Sequence, residues 1–206
     1  MPLPRYHKLS PERKEQIINA ALEEFANHHY QDASINRIIE RSGVSKGTMY
    51  YYFADKADVY SELIKNFIVA SIESWQFDTS VQTSEQFWEE WRTLYRSAFK
   101  YYVDNPEQHK LNSHFTRLIA SGVAPEEARK QIRKIRAYCL ERLNFGIEIG
   151  AVRSDLPESL LVNLFISLYE AFDSWVAFTY ETMSLDNCDE LADMISKLLK
   201  KLLAPH

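Results

Sequence analysis

Apolar residues recur at three- and four-residue intervals along almost the whole chain. Ile18, Leu22 and Phe25 form one stripe with Ile17 and Ala21 beside it, and Val59, Leu63 and Phe67 form another. This spacing gathers side chains on one face of a helix. The punctuation agrees. Four Pro-Glu pairs, at 11–12, 106–107, 125–126 and 157–158, read as helix starts, with Ser10 and Asn105 directly before two of them as expected N-caps. Gly122 and Gly150 stand shortly before two of these starts, where the preceding helices should close. The pattern predicts nine helices, at about 10–28, 34–42, 45–52, 55–78, 84–104, 106–121, 125–149, 157–181 and 187–203. No stretch alternates in the manner of a strand between hairpin turns. The expected fold class is all-α.

Composition changes this picture little. Hydrophobic residues make up 46% and charged residues 26% of the 206 positions, ordinary values for a chain with a packed core. The most apolar stretches, 160–168 and 175–178, lie among Asn163, Ser167, Glu170 and Asp173, and fall short of the roughly 20 apolar residues a bilayer demands. No membrane association is expected. Residues 1–9 lack the apolar stretch of a signal peptide. Cys139 and Cys188 suit reduced thiols in a cytoplasmic protein. The net charge of −5 is unevenly spread: residues 1–56 carry +1 and the remainder −6. A small, slightly basic N-terminal part can meet phosphates even though the whole chain is acidic.

The informative segment is 34–56, SINRIIERSGVSKGTMYYYFADK. Ser34 can cap a short helix whose inner face is Ile35, Ile38 and Ile39. Gly43 falls where that helix must stop sharply, in a conformation that costs glycine little. Val44 plugs the turn, and Ser45 caps a second short helix. A helix, a tight turn and a helix in this order place the second helix in a DNA major groove. On that helix Lys46 offers a cation to phosphate. Gly47 lets backbone and DNA approach closely. Thr48 can bond a phosphate or touch a thymine methyl. Tyr50 and Tyr51 project hydroxyls outward, while Met49 and Phe53 anchor inward. Tyr52 is open between phosphate contact and packing. Lys56, opening the next helix, is expected at a phosphate across the groove, and Asp58 should complete a capping box with Asp55.

This stretch resembles the tetracycline-repressor (TetR) family of regulators. The shared pattern is a capped helix, SGVSKGTMYYYF, and a lysine-initiated helix carrying Val59 and Leu63, over about residues 10–71. Ser34 replaces a commoner threonine, Arg41-Ser42 an Ala-Ala-like pair, and Val59 a usual leucine. The resemblance implies a DNA-binding head over 1–56 and a ligand-sensing, dimerising domain over 57–206. It also implies that Ser45, Lys46, Thr48, Tyr51 and Lys56 touch the sugar-phosphate backbone, with Gly47 and Tyr50 nearest the bases. Ser34 and Tyr52 complete the expected DNA-binding set. In the usual family mechanism a small-molecule inducer shifts the helix at 55–78 and frees a palindromic operator; the alternatives are an activator or a ligand-independent DNA-binding protein of the same fold.

Beyond residue 79 no motif is recognisable. Trp91, Tyr95, Phe115, Tyr138, Arg142, Tyr169, Glu170 and Asp173 are the expected ligand-binding residues, drawn from an aromatic-rich region that also includes Trp175 and Phe178. Asn163, Ser167, Glu170 and Ser174 form a polar stripe that faces either solvent or a pocket. Two ligand classes fit: a lipophilic cation received by Glu170 or Asp173, or an apolar acid or acyl conjugate received by His114, Arg117 or Arg142. The resemblance implies that the helices at 157–181 and 187–203 pair with their two-fold mates in a homodimer, and Leu198, Leu199, Leu202 and Leu203 fit such a seam. An enzyme is disfavoured. His109 and His114 miss metalloprotease spacing, and no P-loop, dinucleotide fingerprint or GxSxG is present. No cofactor or metal is expected.

Overall fold

The computed structural model describes residues 2–179 and 184–205, without the side chains of Ala177 and Phe178. Among these residues there are nine α-helices and no strand: α1 (Pro11–Asn27), α2 (Ile35–Ser42), α3 (Lys46–Tyr52), α4 (Lys56–Ser74), α5 (Ser84–Asp104), α6 (Pro106–Ala120), α7 (Glu126–Glu148), α8 (Glu158–Thr179) and α9 (Leu185–Leu203). The expected aromatic Phe178 and the predicted helix end at 180–181 lie outside what is described. No described helix is long and apolar enough to cross a membrane.

Helix ends follow the local chemistry. The Ser10 hydroxyl accepts from the amide of Arg13, opening α1. Asp55 accepts from the Asp58 amide at 3.0 Å while the Asp58 carboxylate reaches back to the amide of Ala54 at 3.0 Å. Two ends differ from expectation. Asn105 turns its side-chain amide back to the carbonyl of Tyr101, at 2.9 Å, and so closes α5. α4 ends at Ser74, not near 78, because the chain turns where Asp78 accepts the Ser80 amide. That turn lets Phe77 pack against Phe87 and Trp91.

The chain forms two compact units, cut differently from a boundary at residue 56. Unit 1 comprises Met1–Ser71 with Glu107–Ile132, and unit 2 comprises Ile72–Pro106 with Arg133–His206. In unit 1, α1 packs on α2, α2 on α3, and α3 on a short 3-10 helix, Pro4–Lys8. Its core includes Ile17, Phe25, Ile38, Met49, Phe53 and Tyr60, each at most 2% exposed. In unit 2, α9 packs on α5 and α8. Arg92 and Arg96 on α5 pair with Asp193 and Asp189 on α9, and Ser196 bonds the carbonyl of Trp88 at 3.2 Å.

Only part of the expected leucine seam faces outward. Leu199 and Leu203 are fully buried within the chain, whereas Leu198 and Leu202 are exposed. Adjacent leucines on a helix point about 100° apart, so one of each pair enters the core when the other faces out.

Candidate nucleic-acid interface

α3 is seven residues long, too short to hold its shape unaided. Its neighbours hold it. Gly43 ends α2 at φ +63°, a left-handed conformation that would strain most other residues. The carbonyl of Gly43 accepts from Arg13 on α1 at 3.3 Å. Ser45 then caps α3, its hydroxyl accepting from the Thr48 amide at 3.1 Å and sharing a 2.7 Å bond with the Thr48 hydroxyl. Met49 and Phe53 are fully buried and pin the inner face, as their spacing predicts.

The outer face is free. Lys46 and Gly47 are exposed, Thr48 and Tyr52 half-exposed, and Tyr50 and Tyr51 stand 42% and 49% exposed. Among the described residues Lys46 makes no ion pair or hydrogen bond. A methyl added at Gly47 would meet nothing closer than the Ser45 hydroxyl at 3.9 Å, so a backbone or base can approach there. Tyr52 packs edge-on against Tyr6 and Tyr51, which makes it a support as well as a half-exposed surface.

Two expected site residues take other roles. Ser34 stands at the N-cap of α2 but makes no side-chain capping bond. Its amide instead donates to the Glu24 carboxylate at 2.7 Å. Lys56 directs its ammonium to the carbonyls of Tyr30, Gln31 and Ala33, at 2.6, 3.0 and 2.9 Å. An ammonium has three hydrogens, and all three are taken by the loop between α1 and α2. In this structure it clamps that loop.

Other residues join the surface without a periodic signal in the sequence. The amide of Leu3 donates to the carbonyl of Tyr52 at 2.7 Å, and Tyr6 is buried against Phe53. This docks the Pro4–Lys8 turn beside α3 and sets the Arg5 guanidinium 4.4 Å over the ring of Tyr51. The clustering of Arg5, His7 and Lys8 was the only clue available. Buried Glu24 organises the opposite side. Burial would raise its pKa, but hydrogen bonds from Arg37, the Ser34 amide and Arg41 prevail and hold it at about 2.

Residues 17–63 match the family described as bacterial regulatory proteins, tetR family. That match spans the helix-turn-helix and the start of α4. The chain is a helix-turn-helix transcriptional regulator, and its relatives extend beyond the motif. It is 24% identical over 194 residues to the HTH-type transcriptional repressor AcnR of Corynebacterium diphtheriae, covering 91% of this chain and 92% of that one. In fold it is similar to the fatty acid degradation regulator FadR from Bacillus halodurans, with a TM-score of 0.77 at 20% identity over 93% of this chain and 96% of that one. It is also similar to FadR from Bacillus subtilis in complex with stearoyl-CoA, with a TM-score of 0.71 at 21% identity over 90% and 97% of the two chains.

The expected ligand-binding residues of this regulator divide between the units. Phe115 lies in unit 1, its ring 6.4 Å from that of Tyr60. The others lie in unit 2. There Trp91, Tyr95 and Tyr169 form a stacked series with centroids 6.0 and 5.7 Å apart. Trp91 Nε1 and Tyr95 Oη are buried without a hydrogen-bond partner, as is Arg142 Nε. The Arg142 guanidinium lies 3.8 Å over the ring of Tyr138, whose hydroxyl donates to the carbonyl of Trp75 at 3.2 Å. Asp173 is buried, and Glu170 is half-buried with its pKa raised by burial against the opposing pull of Arg136. Along the polar stripe of α8, Asn163, Ser167 and Ser174 are exposed, with Asn163 accepting from Arg136 at 2.6 Å.

Proposed function

We propose that this regulator is a cytoplasmic homodimeric repressor. Each copy presents α3 to one half of a near-palindromic operator, and an effector bound in unit 2 releases the DNA. The observation that carries the reading is the outward face of α3. Lys46 is unspent, Gly47 is open and Tyr50 and Tyr51 are exposed, on a helix whose other face is fully buried. Ser45, Lys46, Thr48 and Tyr51 supply phosphate contacts, while Gly47 and Tyr50 approach the bases. Functionally, residues 1–56 serve as the head and 57–206 as the effector-binding and dimerising part. Leu198 and Leu202 on α9, with Leu160 and Trp175 on α8, are exposed apolar side chains suited to a two-fold seam.

For the effector, the geometry favours an apolar acid over a lipophilic cation. Arg142 keeps a buried, unspent donor, and Trp91 and Tyr95 add two more beside an aromatic stack. The stearoyl-CoA complex of FadR from Bacillus subtilis supports the same direction. Release follows if the acid binds the DNA-incompetent state more tightly than the competent one.

Genomic footprinting of the purified protein tests the reading. Two protected half-sites about one helical turn apart are expected, together with lower transcription from the adjacent promoter. Binding that shows no sequence preference overturns it, and raised transcription makes the protein an activator.

A further inference from the structure

Unit 1 contains a half-open cavity of about 180 Å³ at the α1–α2 loop, α4 and α6, which the α3 surface does not use. Its apolar side is aromatic. The Phe25 and Tyr60 rings lie 4.8 Å apart and those of Tyr30 and Tyr60 4.9 Å apart. Its polar side carries two imidazoles and a guanidinium. His29 and His114 stack with centroids 4.5 Å apart, and Arg117 joins them in the lining.

Two features of this lining lack a counterpart. First, a guanidinium stands beside two imidazoles: burial chiefly, with His29, Arg117 and Lys110 nearby, lowers the pKa of His114 against the pull of its hydrogen bond with the Phe25 carbonyl. Among the described residues Arg117 forms no ion pair. Second, Tyr60 is only 2% exposed, and its hydroxyl is buried with no hydrogen-bond partner. A buried hydroxyl without a partner costs free energy, and a guanidinium without an ion pair favours an anion.

We infer that this cavity binds a small aromatic monocarboxylate, its ring against Phe25 and Tyr30 and its carboxylate toward Arg117, His114 and the Tyr60 hydroxyl. Size sets the class, since a cavity of roughly 150 Å³ holds benzene. One ring with a carboxylate fits, and a long acyl conjugate does not. The site is therefore distinct from the proposed effector site around Arg142. Its occupant touches the loop whose carbonyls hold Lys56 and whose Ser34 amide holds Glu24. It is thus placed to adjust the seating of α2.

Sodium benzoate is the probe, titrated calorimetrically into the full chain, with imidazole resonances followed by NMR. Benzamide and acetate serve as comparators. One benzoate per chain is expected, with shifts at His29 and His114. Arg117→Gln and Tyr60→Phe should each weaken binding about tenfold or more, the loss of a charge-assisted hydrogen bond, while Arg142→Gln leaves it unchanged. Arg117 is exposed and the Tyr60 hydroxyl has no partner, so both variants retain the fold. Benzoate affinity unaltered in Arg117→Gln overturns the assignment, as does equal binding of benzamide or of acetate. Binding is read on the protein alone, so a failure of DNA recognition and a failure of this site are separate results.

Discussion

The buried carboxylate of Glu24 on α1 receives Nε of Arg37 on α2 at 2.9 Å and 3.0 Å, one bond to each oxygen. Arg41, one turn later, adds a bond at 2.7 Å. A fully buried acid is thus tied to two partly exposed cations, and the first two helices of the DNA-binding unit are fastened at that point.

This clamp is acid-labile. The folded pKa of Glu24 is about 2 against an ordinary 4.5. The stabilisation is present above about pH 4.5 and is lost as pH falls toward 2. At neutral pH it amounts to on the order of 3 kcal/mol. Urea unfolding of wild type and Glu24→Gln at pH 7 and pH 3 measures it. The wild type should lose stability between these pH values, and the variant should begin lower and change less.

Lys46 is exposed and unpaired, so its charge is available to a phosphate. Lys46→Ala should weaken binding to every DNA sequence alike. The slope of log affinity against log salt should flatten by about 0.9 for each phosphate that is no longer neutralised. Anisotropy titrations across a salt series check this, and an unaltered slope removes Lys46 from the interface.

Lys56 should behave in the opposite way. Its three bonds go to the α1–α2 loop, so Lys56→Met should lower unfolding stability by about 2 kcal/mol, as expected for charged hydrogen bonds. The salt slope of DNA binding, measured where the variant is folded, should stay at the wild-type value. A flatter slope with stability intact would restore the phosphate contact expected from sequence.

Gly146 in α7 is needed for space. A methyl there would lie 2.5 Å from Phe87 Cζ and 2.6 Å from Val152 Cγ2. Phe87 is fully buried and cannot yield. Alanine gains about 1 kcal/mol of helix propensity over glycine, but overpacking costs about 1–3 kcal/mol. Gly146→Ala should therefore lower the thermal midpoint, most simply followed by circular dichroism.

The helices, their caps and the exposed segment around α3 were legible in the sequence because each depends on residues close together in the chain. Ser45 caps its own helix, Gly43 ends its own helix, and Met49 and Phe53 bury their own face. The reciprocal hydrogen bonds that Asp55 and Asp58 make at the start of α4 are local in the same sense. Spacing and residue type are enough to foresee such features.

Other assignments depend on partners far along the chain, and only the folded structure decided them. Lys56 meets carbonyls more than twenty residues earlier, which converts an expected phosphate ligand into a loop clamp. Phe115 falls in unit 1 and the other expected ligand residues in unit 2, because the chain returns to unit 1 at Glu107. Leu199 turns inward while Leu198 turns outward, a choice set by the packing of α9 on α5. Local sequence therefore determined where helices begin, end and expose polar faces. Which ammonium remains free, which leucine is buried and which rings share a cavity depend on the meeting of distant elements, where burial and hydrogen-bond satisfaction decide.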